Sequence, residues 1–185
     1  MKMVNYIVSG IERSGTSMMM QILYRGGAPV AFDSSRKPDY HNPKGYYELE
    51  GGKIISRLME GSFPMEKYDG RFIKITAYGL RFLPEGEYKI IYMVRNLDEI
   101  LDSMEKMSGP VDREKEKPLF EKLNRFTIDL MEKREDIEYI VVNHRNVIQN
   151  PRKEIERVND FLDGMLNVDE AVKAVDPKLW RNVRK

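Results

Sequence analysis

Short apolar runs alternate with amphipathic segments along the chain. The runs at 4–9, 71–77, 88–94 and 137–142 are rich in β-branched and aromatic residues, which is typical of buried strands. Apolar residues at three- and four-residue steps predict helices over 17–24, 48–60, 97–107, 119–130 and 151–162. This order predicts an α/β fold, a three-layer sandwich whose central, mainly parallel sheet carries helices on both faces.

Two segments interrupt the pattern. Residues 28–47 contain three prolines among polar residues and predict a long irregular loop, and loops of that length frequently carry function. The charged stretch at 112–117 (DREKEK) precedes Pro118 and predicts a solvated turn.

The length and the apolar content limit the possible classes. With 185 residues, the chain is the size of one domain, and we expect a single domain over 1–185. The sequence has no apolar run near the ~20 residues of a membrane span and shows no signal peptide, so it predicts no membrane insertion and a cytoplasmic location.

Charge and cysteine content exclude further classes. The formal net charge is +1, which gives no bulk electrostatic reason to bind a nucleic acid polymer or an anionic membrane, so any anion site must be local. The absence of cysteine excludes thiol nucleophiles and cysteine-ligated metals. His41 and His144 are the only histidines and are far apart in sequence, so no metal site is predicted.

A glycine-rich loop separates the first strand from the first helix. Gly10 and Gly15 have the spacing of a phosphate-binding loop, and Thr16 and Ser17 follow them. Converging backbone N–H groups and the helix N-terminus favour a phosphate or sulfate group there. Thr16 occupies the position of the lysine of nucleoside triphosphatases, and the loop's cation is Arg13 instead. The alternative is a turn without a ligand.

A second group of polar residues follows the strand at 88–94. Arg95 ends the strand, Asn96 and Glu99 have the spacing of a capping box, and Ser103 lies on the same helical stripe. Arg95 and Ser103 are therefore candidates for a second anion site at the carboxyl edge of the sheet. The alternative is that Arg95 pairs with a local carboxylate while Ser103 is merely exposed.

At this point the sequence resembles the sulfotransferases that use 3′-phosphoadenosine 5′-phosphosulfate (PAPS). GIERSGTS at 10–17 is similar to their 5′-phosphosulfate loop, and IIYMVRNLDEILDSM at 90–104 is similar to their 3′-phosphate segment. NPKGYYE at 42–48 resembles a motif of bacterial members, and NPRKEIERVNDFLDG at 150–164 resembles the late helix of the family. The matches run in the family's order from residue 6 to about 164.

The resemblance implies roles for individual residues. Arg13 to Ser17, through Ser14, Gly15 and Thr16, would wrap the 5′-phosphosulfate, and Arg95 with Ser103 would hold the 3′-phosphate. Lys74 occupies the place of a lysine near the transferring sulfuryl group, the alternative being a strand-edge lysine in solvent. PAPS would be the donor and 3′,5′-bisphosphoadenosine (PAP) the product, without a required metal. Backbone N–H groups, Arg13 and Lys74 would stabilise charge in an in-line displacement.

A base is also needed for a hydroxyl acceptor. The histidine that cytosolic members carry after the Lys-Thr pair is absent, since the segment here reads Lys74-Ile75-Thr76. Glu48, after the bacterial-type motif, is the candidate catalytic base, and His41 is the second candidate. The alternative for Glu48 is a glutamate that only faces the positive end of a helix dipole.

Some features depart from the family pattern, and other functions stay open. Glu12 brings a negative charge into the loop, and the tail offers only Arg181 and Arg184 in place of the family's basic C-terminal loop. The competing functions are a phosphate-loop nucleotide kinase or hydrolase and a non-catalytic PAP- or PAPS-binding module. The acceptor, a small molecule or a carbohydrate, and the oligomeric state are not specified by the sequence.

Overall fold

The computed structural model describes residues 3–181 and residue 183. The strands are β1 (Asn5–Gly10), β2 (Phe72–Lys74), β3 (Tyr88–Val94) and β4 (Ile137–Asn143). The helices are α1 (Thr16–Arg25), α2 (Ile54–Met59), α3 (Leu97–Ser108), α4 (Arg113–Lys133), α5 (His144–Gln149), α6 (Pro151–Phe161) and α7 (Val168–Val172). Short 3₁₀ helices cover Glu50–Gly52, Met65–Tyr68, Ala77–Phe82 and Pro177–Leu179.

The four described strands form one parallel sheet in the order β2-β1-β3-β4. Ile7 of β1 is in register with Ile73 of β2 and with Ile90 of β3. The chain reverses its direction across the sheet between β1 and β3, and in open α/β sheets ligands bind outside the carboxyl ends of the strands at such a point. The loop after β1 starts at this point.

The sheet has a separate apolar core on each face, because successive strand residues point to opposite sides. Ile7 and Ile90 pack with residues of α2, α3 and α4 on one face. Val8 and Ile91 pack with residues of α1, α5, α6 and α7 on the other face. The predicted α/β fold with three layers is therefore confirmed.

The segment predicted as one helix over 48–60 contains two separate elements. The 3₁₀ helix Glu50–Gly52 ends before α2 begins at Ile54. Gly51 and Gly52 have φ values of 63° and 82°, which no right-handed helix accommodates, so the helix breaks there. Glu48 precedes both elements and does not open a helix.

The prediction of a solvated turn at 112–117 is wrong. Helix α4 begins at Arg113, and the side chain of Asp112 accepts a hydrogen bond from the backbone N–H of Lys115 as an N-cap. Glu114 and Glu116 lie in the first turn, where the helix dipole favours acidic side chains. The charged stretch is a capped helix start, and Pro118 lies inside the helix.

The strand predicted over 71–77 is shorter, since β2 ends at Lys74 and the 3₁₀ helix starts at Ala77. Among the described residues, every helix is too short or too polar to cross a membrane.

Candidate functional site

The predicted site residues meet at the carboxyl edge of the sheet. β1 ends at Gly10, β2 ends at Lys74, and Arg95 follows the last residue of β3. A cavity of about 480 Å³ lies at this edge. Of the nine residues predicted to bind the donor or to act in catalysis, eight line this cavity, namely Arg13, Gly15, Thr16, Ser17, Glu48, Lys74, Arg95 and Ser103.

The loop over 10–15 needs glycine at both ends. Gly10 has a φ of 146° and Gly15 a φ of 104°, in the region that side chains disfavour. A Cβ at Gly15 would lie 2.7 Å from Cδ2 of His144, and a Cβ at Gly10 would lie 2.5 Å from Oγ of Ser14. At both glycines the backbone therefore lies too close to its neighbours for a residue with a side chain. Helix α1 begins directly after the loop, at Thr16.

One feature of the loop fits an anionic ligand. The first N–H groups of α1 have no partner within the helix, and they face the edge at which the cavity lies. Ser14 is buried, and its Oγ makes no hydrogen bond within the described residues. Thr16 and Gly15 line the cavity, whereas the buried Ser14 does not.

Arg13, Ser103 and Arg95 form one connected group. Nε of Arg13 donates to Oγ of Ser103 at 2.9 Å, and Nη1 of Arg95 donates to the backbone oxygen of Arg13 at 3.1 Å. Ser103 is buried, which rules out the alternative that it is merely exposed. The strand end, the loop and helix α3 thus place two guanidinium groups and a hydroxyl on one side of the cavity.

Arg95 also pairs with a local carboxylate, so this part of the alternative interpretation is correct. Its Nε donates to Oε2 of Glu99 at 3.0 Å. Burial lowers the pKa of Arg95, and the carboxylate of Glu99 counteracts that shift. Glu99 also accepts from Nη2 of Arg145 at 3.1 Å and from Nε1 of Trp180 at 3.1 Å. The sequence indicated Glu99 only as part of a helix cap, and that cap is made by the side chain of Asn96.

Lys74 lies on the opposite side of the cavity and is buried, so the alternative of a lysine in solvent is wrong. Its Nζ donates to Oγ of Ser17 and to the backbone oxygen of Tyr46, both at 2.8 Å. Burial lowers the pKa of Lys74 to about 8, and the nearby carboxylate of Glu48 counteracts the shift. The amine links the end of the glycine loop to Glu48.

Glu48 is held by two cations. Its Oε1 lies 3.4 Å from Nζ of Lys74, and both carboxylate oxygens accept from Nη1 of Arg36 at 3.3 Å. The guanidinium of Arg36 lies 3.5 Å from the ring centre of Tyr46. Sequence reasoning missed Arg36, because it lies in the irregular loop without a motif that signals its role. Glu48 is therefore held by two ion pairs and not by a helix dipole, as the alternative interpretation had it.

The two histidines occupy different parts of the cavity wall. His41 provides its backbone oxygen to Nη2 of Arg13 at 3.3 Å, and its ring packs against Tyr40. His144 starts α5 beside the loop, and burial, together with the nearby charge of Arg95, lowers its pKa to about 3. His144 is therefore a neutral group at physiological pH.

The C-terminal segment contributes to the cavity wall. Nη1 of Arg181 donates to the backbone oxygen of Tyr40 at 3.0 Å, while Arg184 lies outside the described residues. Trp180 packs edge-on against His144 and anchors the segment. Among the described residues, no group of three or more acidic or histidine side chains is arranged to hold a metal ion.

Comparison with known proteins identifies the family. The sequence matches the sulfotransferase domain family over residues 5–179. The chain belongs to the sulfotransferase family. The match confirms the resemblance of the motifs, and the predicted sulfuryl transfer is the activity of this family, so the kinase and hydrolase alternatives are not favoured. A comparison with curated protein sequences gives no match.

Solved structures similar to this sulfotransferase include three domains of low identity. The sulfotransferase domain of the Synechococcus PCC 7002 olefin synthase is 17% identical with a TM-score of 0.58, over 98% of this chain and 88% of that chain. The sulfotransferase domain from the curacin biosynthetic pathway is 13% identical with a TM-score of 0.46, over 100% and 78%. Retinol dehydratase in complex with androsterone and PAP is 13% identical with a TM-score of 0.45, over 95% and 64%. The first of these supports the fold.

Proposed function

We propose that this sulfotransferase uses PAPS and transfers the sulfuryl group to a hydroxyl or amine of a small molecule or a carbohydrate. The observation that carries the proposal is the position of Lys74, whose Nζ joins Ser17 of the glycine loop to the carboxylate of Glu48. An anion-binding loop, a cation and a carboxylate thus lie in one cavity, which is the arrangement that transfer of an anionic group to a hydroxyl requires.

The donor would bind along the edge of the sheet. In this proposal the loop over 13–17 and the start of α1 bind the 5′-phosphosulfate, supported by the N–H groups at the start of the helix, which have no partner within it. Arg95 and Ser103 bind the 3′-phosphate, supported by the contacts of both residues with Arg13. When bound, PAPS supplies a sulfuryl group attached to its 5′-phosphate, and PAP remains after the transfer.

Two side chains of this chain would handle the proton and the charge. Glu48 accepts the proton of the acceptor hydroxyl on a carboxylate oxygen, and it is favoured over His41, whose described contribution to the site is a backbone oxygen. The Lys74 ammonium and the Arg13 guanidinium face the negative charge that develops on the transferring group. We further propose that these cations replace a metal ion, so that turnover needs no Mg²⁺.

Calorimetric titration with PAP, ADP and ATP tests the donor site, each nucleotide being measured with Mg²⁺ and with a chelator. The proposal predicts metal-independent binding that is tightest for PAP. Arg95→Ala is expected to lower the affinity for PAP by about tenfold or more. A preference for ATP that requires Mg²⁺ would overturn the proposal. Thermal unfolding of Arg95→Ala separates a loss of binding from a loss of folding.

A further inference from the structure

Glu99 lies where the cation proposed for the 3′-phosphate meets the C-terminal segment. Only 1% of its side chain is exposed. Its donors within the described part of the chain include groups from three parts of the fold: Arg95 from the end of β3, Arg145 from α5, and Trp180 from the C-terminal segment. A buried carboxylate is retained when it is paired and hydrogen-bonded, and Glu99 meets that condition.

The pairing fixes the guanidinium of Arg95 at two atoms. Nε donates to Glu99, and Nη1 donates to the backbone oxygen of Arg13 in the loop. Because a guanidinium is planar, two hydrogen bonds from different nitrogens fix both its position and its plane. The side chain of Arg95 is 9% exposed and lines the cavity, so this plane decides where its remaining N–H groups point.

The negative charge of Glu99 is, by itself, unfavourable for a site that binds an anion. A negative charge in contact with Arg95 repels a phosphate bound by the same guanidinium. Any benefit of Glu99 to phosphate binding must therefore come from geometry, and this makes the two explanations separable by experiment.

We propose that Glu99 is a positioning residue, which orients Arg95 toward the 3′-phosphate and ties this orientation to the C-terminal segment through Trp180. The proposal rests on the proposed function, in which Arg95 binds the 3′-phosphate of the donor. It predicts that Glu99 contributes to the discrimination between nucleotides with and without a 3′-phosphate, although it touches neither nucleotide.

The experiment compares PAP with adenosine 5′-monophosphate, which lacks the 3′-phosphate, by calorimetric titration of the purified chain. Glu99→Gln is expected to lower the affinity for PAP by about tenfold and to leave the affinity for the monophosphate within about twofold, because the amide loses the negative charge and offers one acceptor oxygen to three donors. Glu105→Gln is the matched control, because Glu105 lies on the same helix, pairs with Arg113 and does not line the cavity. It is expected to change neither affinity.

Trp180→Phe provides a second variant that keeps every charge and removes one donor to Glu99. It is expected to lower the affinity for PAP by about threefold and to leave the affinity for the monophosphate unchanged, in line with the loss of a single hydrogen bond. If Glu99→Gln fails to fold in a thermal unfolding measurement, this variant decides the question.

The outcomes separate the inference from the function on which it rests. A wild-type chain that binds both nucleotides equally overturns the proposed 3′-phosphate site and the role of Glu99 together. A wild-type chain that prefers PAP, combined with unchanged or tighter PAP binding in Glu99→Gln, overturns the positioning role alone. Equal weakening of both nucleotides also overturns it, because the effect would then fall on a part that the two ligands share.

Discussion

The ammonium nitrogen of Lys74 lies 3.4 Å from Oε1 of Glu48, and only 5% and 12% of these two side chains are exposed. The two groups reach this position from different elements, since Lys74 ends β2 and Glu48 follows the long irregular loop. The same nitrogen donates to Ser17 at the start of α1. The relationship therefore connects the anion-binding loop with the candidate base.

The lowered pKa of Lys74 predicts a limit on activity at alkaline pH. Lys74 is cationic below its pKa of about 8, and it loses the charge as the pH rises through that value. We expect kcat/KM for PAPS to fall above about pH 8, because the neutral amine no longer stabilises the developing charge. A pH profile of kcat/KM checks this.

Two variants sharpen the pH experiment. Lys74→Arg keeps a cation that does not titrate in this range, so the fall near pH 8 should disappear even if the rate is lower. Lys89→Arg is the control, since Lys89 pairs with Asp163 and does not line the cavity, and its profile should match the wild type. An unchanged alkaline fall in Lys74→Arg would contradict the assignment.

The shifted pKa of Lys74 also has a consequence for stability. The ordinary lysine pKa is 10.5 and that of Lys74 in the fold is about 8, so between these values the unfolded chain binds more protons than the folded one. Lys74 therefore lowers the free energy of unfolding below about pH 8, and this effect fades as the pH rises toward 10.5.

Gly15→Ala should disrupt the phosphate loop. The added Cβ would lie 2.7 Å from the ring of His144, and the residue would keep a φ of 104°. Gly27→Ala is a matched control, because Gly27 has a φ of 88° and nothing lies within 4 Å of the added Cβ. We expect about 1 kcal/mol of destabilisation from backbone strain in both variants, with a further loss only in Gly15→Ala.

Thermal unfolding and PAP titration measure the two effects of these glycine variants. PAP affinity should fall by at least about tenfold in Gly15→Ala, because the loop N–H groups move, and should stay unchanged in Gly27→Ala. Equal behaviour of the two variants would show that the close approach at Gly15 has no role in binding.

Ser103→Ala should weaken the donor site without loss of charge. The variant removes the hydroxyl that accepts from Nε of Arg13 and that we propose contacts the 3′-phosphate. We expect PAP to bind about tenfold more weakly and adenosine 5′-monophosphate to bind as before. Ser108→Ala, at the exposed end of the same helix, is the control in the same titrations. Undiminished PAP binding in Ser103→Ala would contradict the proposed contact.

Local patterns predicted the sheet well and the charged helix start poorly. β3 has the predicted bounds, because a buried parallel strand is a continuous apolar run. The start of α4 was missed since it carries its apolar residues only after Pro118, although the cap at Asp112 and the acidic first turn were present in the sequence. The break at Gly51 and Gly52 depends on backbone conformation, which the apolar spacing over 48–60 does not report.

The site was predictable only where its residues end strands or follow the glycine loop. Lys74 and Arg95 come together because the carboxyl ends of parallel strands share one edge. Arg36 contacts Glu48 from an irregular loop, and Trp180 contacts Glu99 although the two residues are 81 positions apart in sequence. Such contacts follow from tertiary packing, and no local periodicity or spacing predicts them.

Turnover of Glu48→Gln tests the central claim most directly. The glutamine keeps the shape of the side chain and removes its capacity to accept a proton, so sulfuryl transfer from PAPS to a hydroxyl acceptor should fall by about 10²-fold or more. PAP affinity, measured by calorimetry, should change by less than about twofold, because the proposed donor contacts are made by other residues.

Glu50→Gln is the matched control for this measurement, since Glu50 pairs with Arg57 and does not line the cavity. Its turnover should equal that of the wild type. Retained PAP binding with lost turnover in Glu48→Gln is the predicted result, and an unchanged kcat in Glu48→Gln would contradict the assignment of Glu48 as the base.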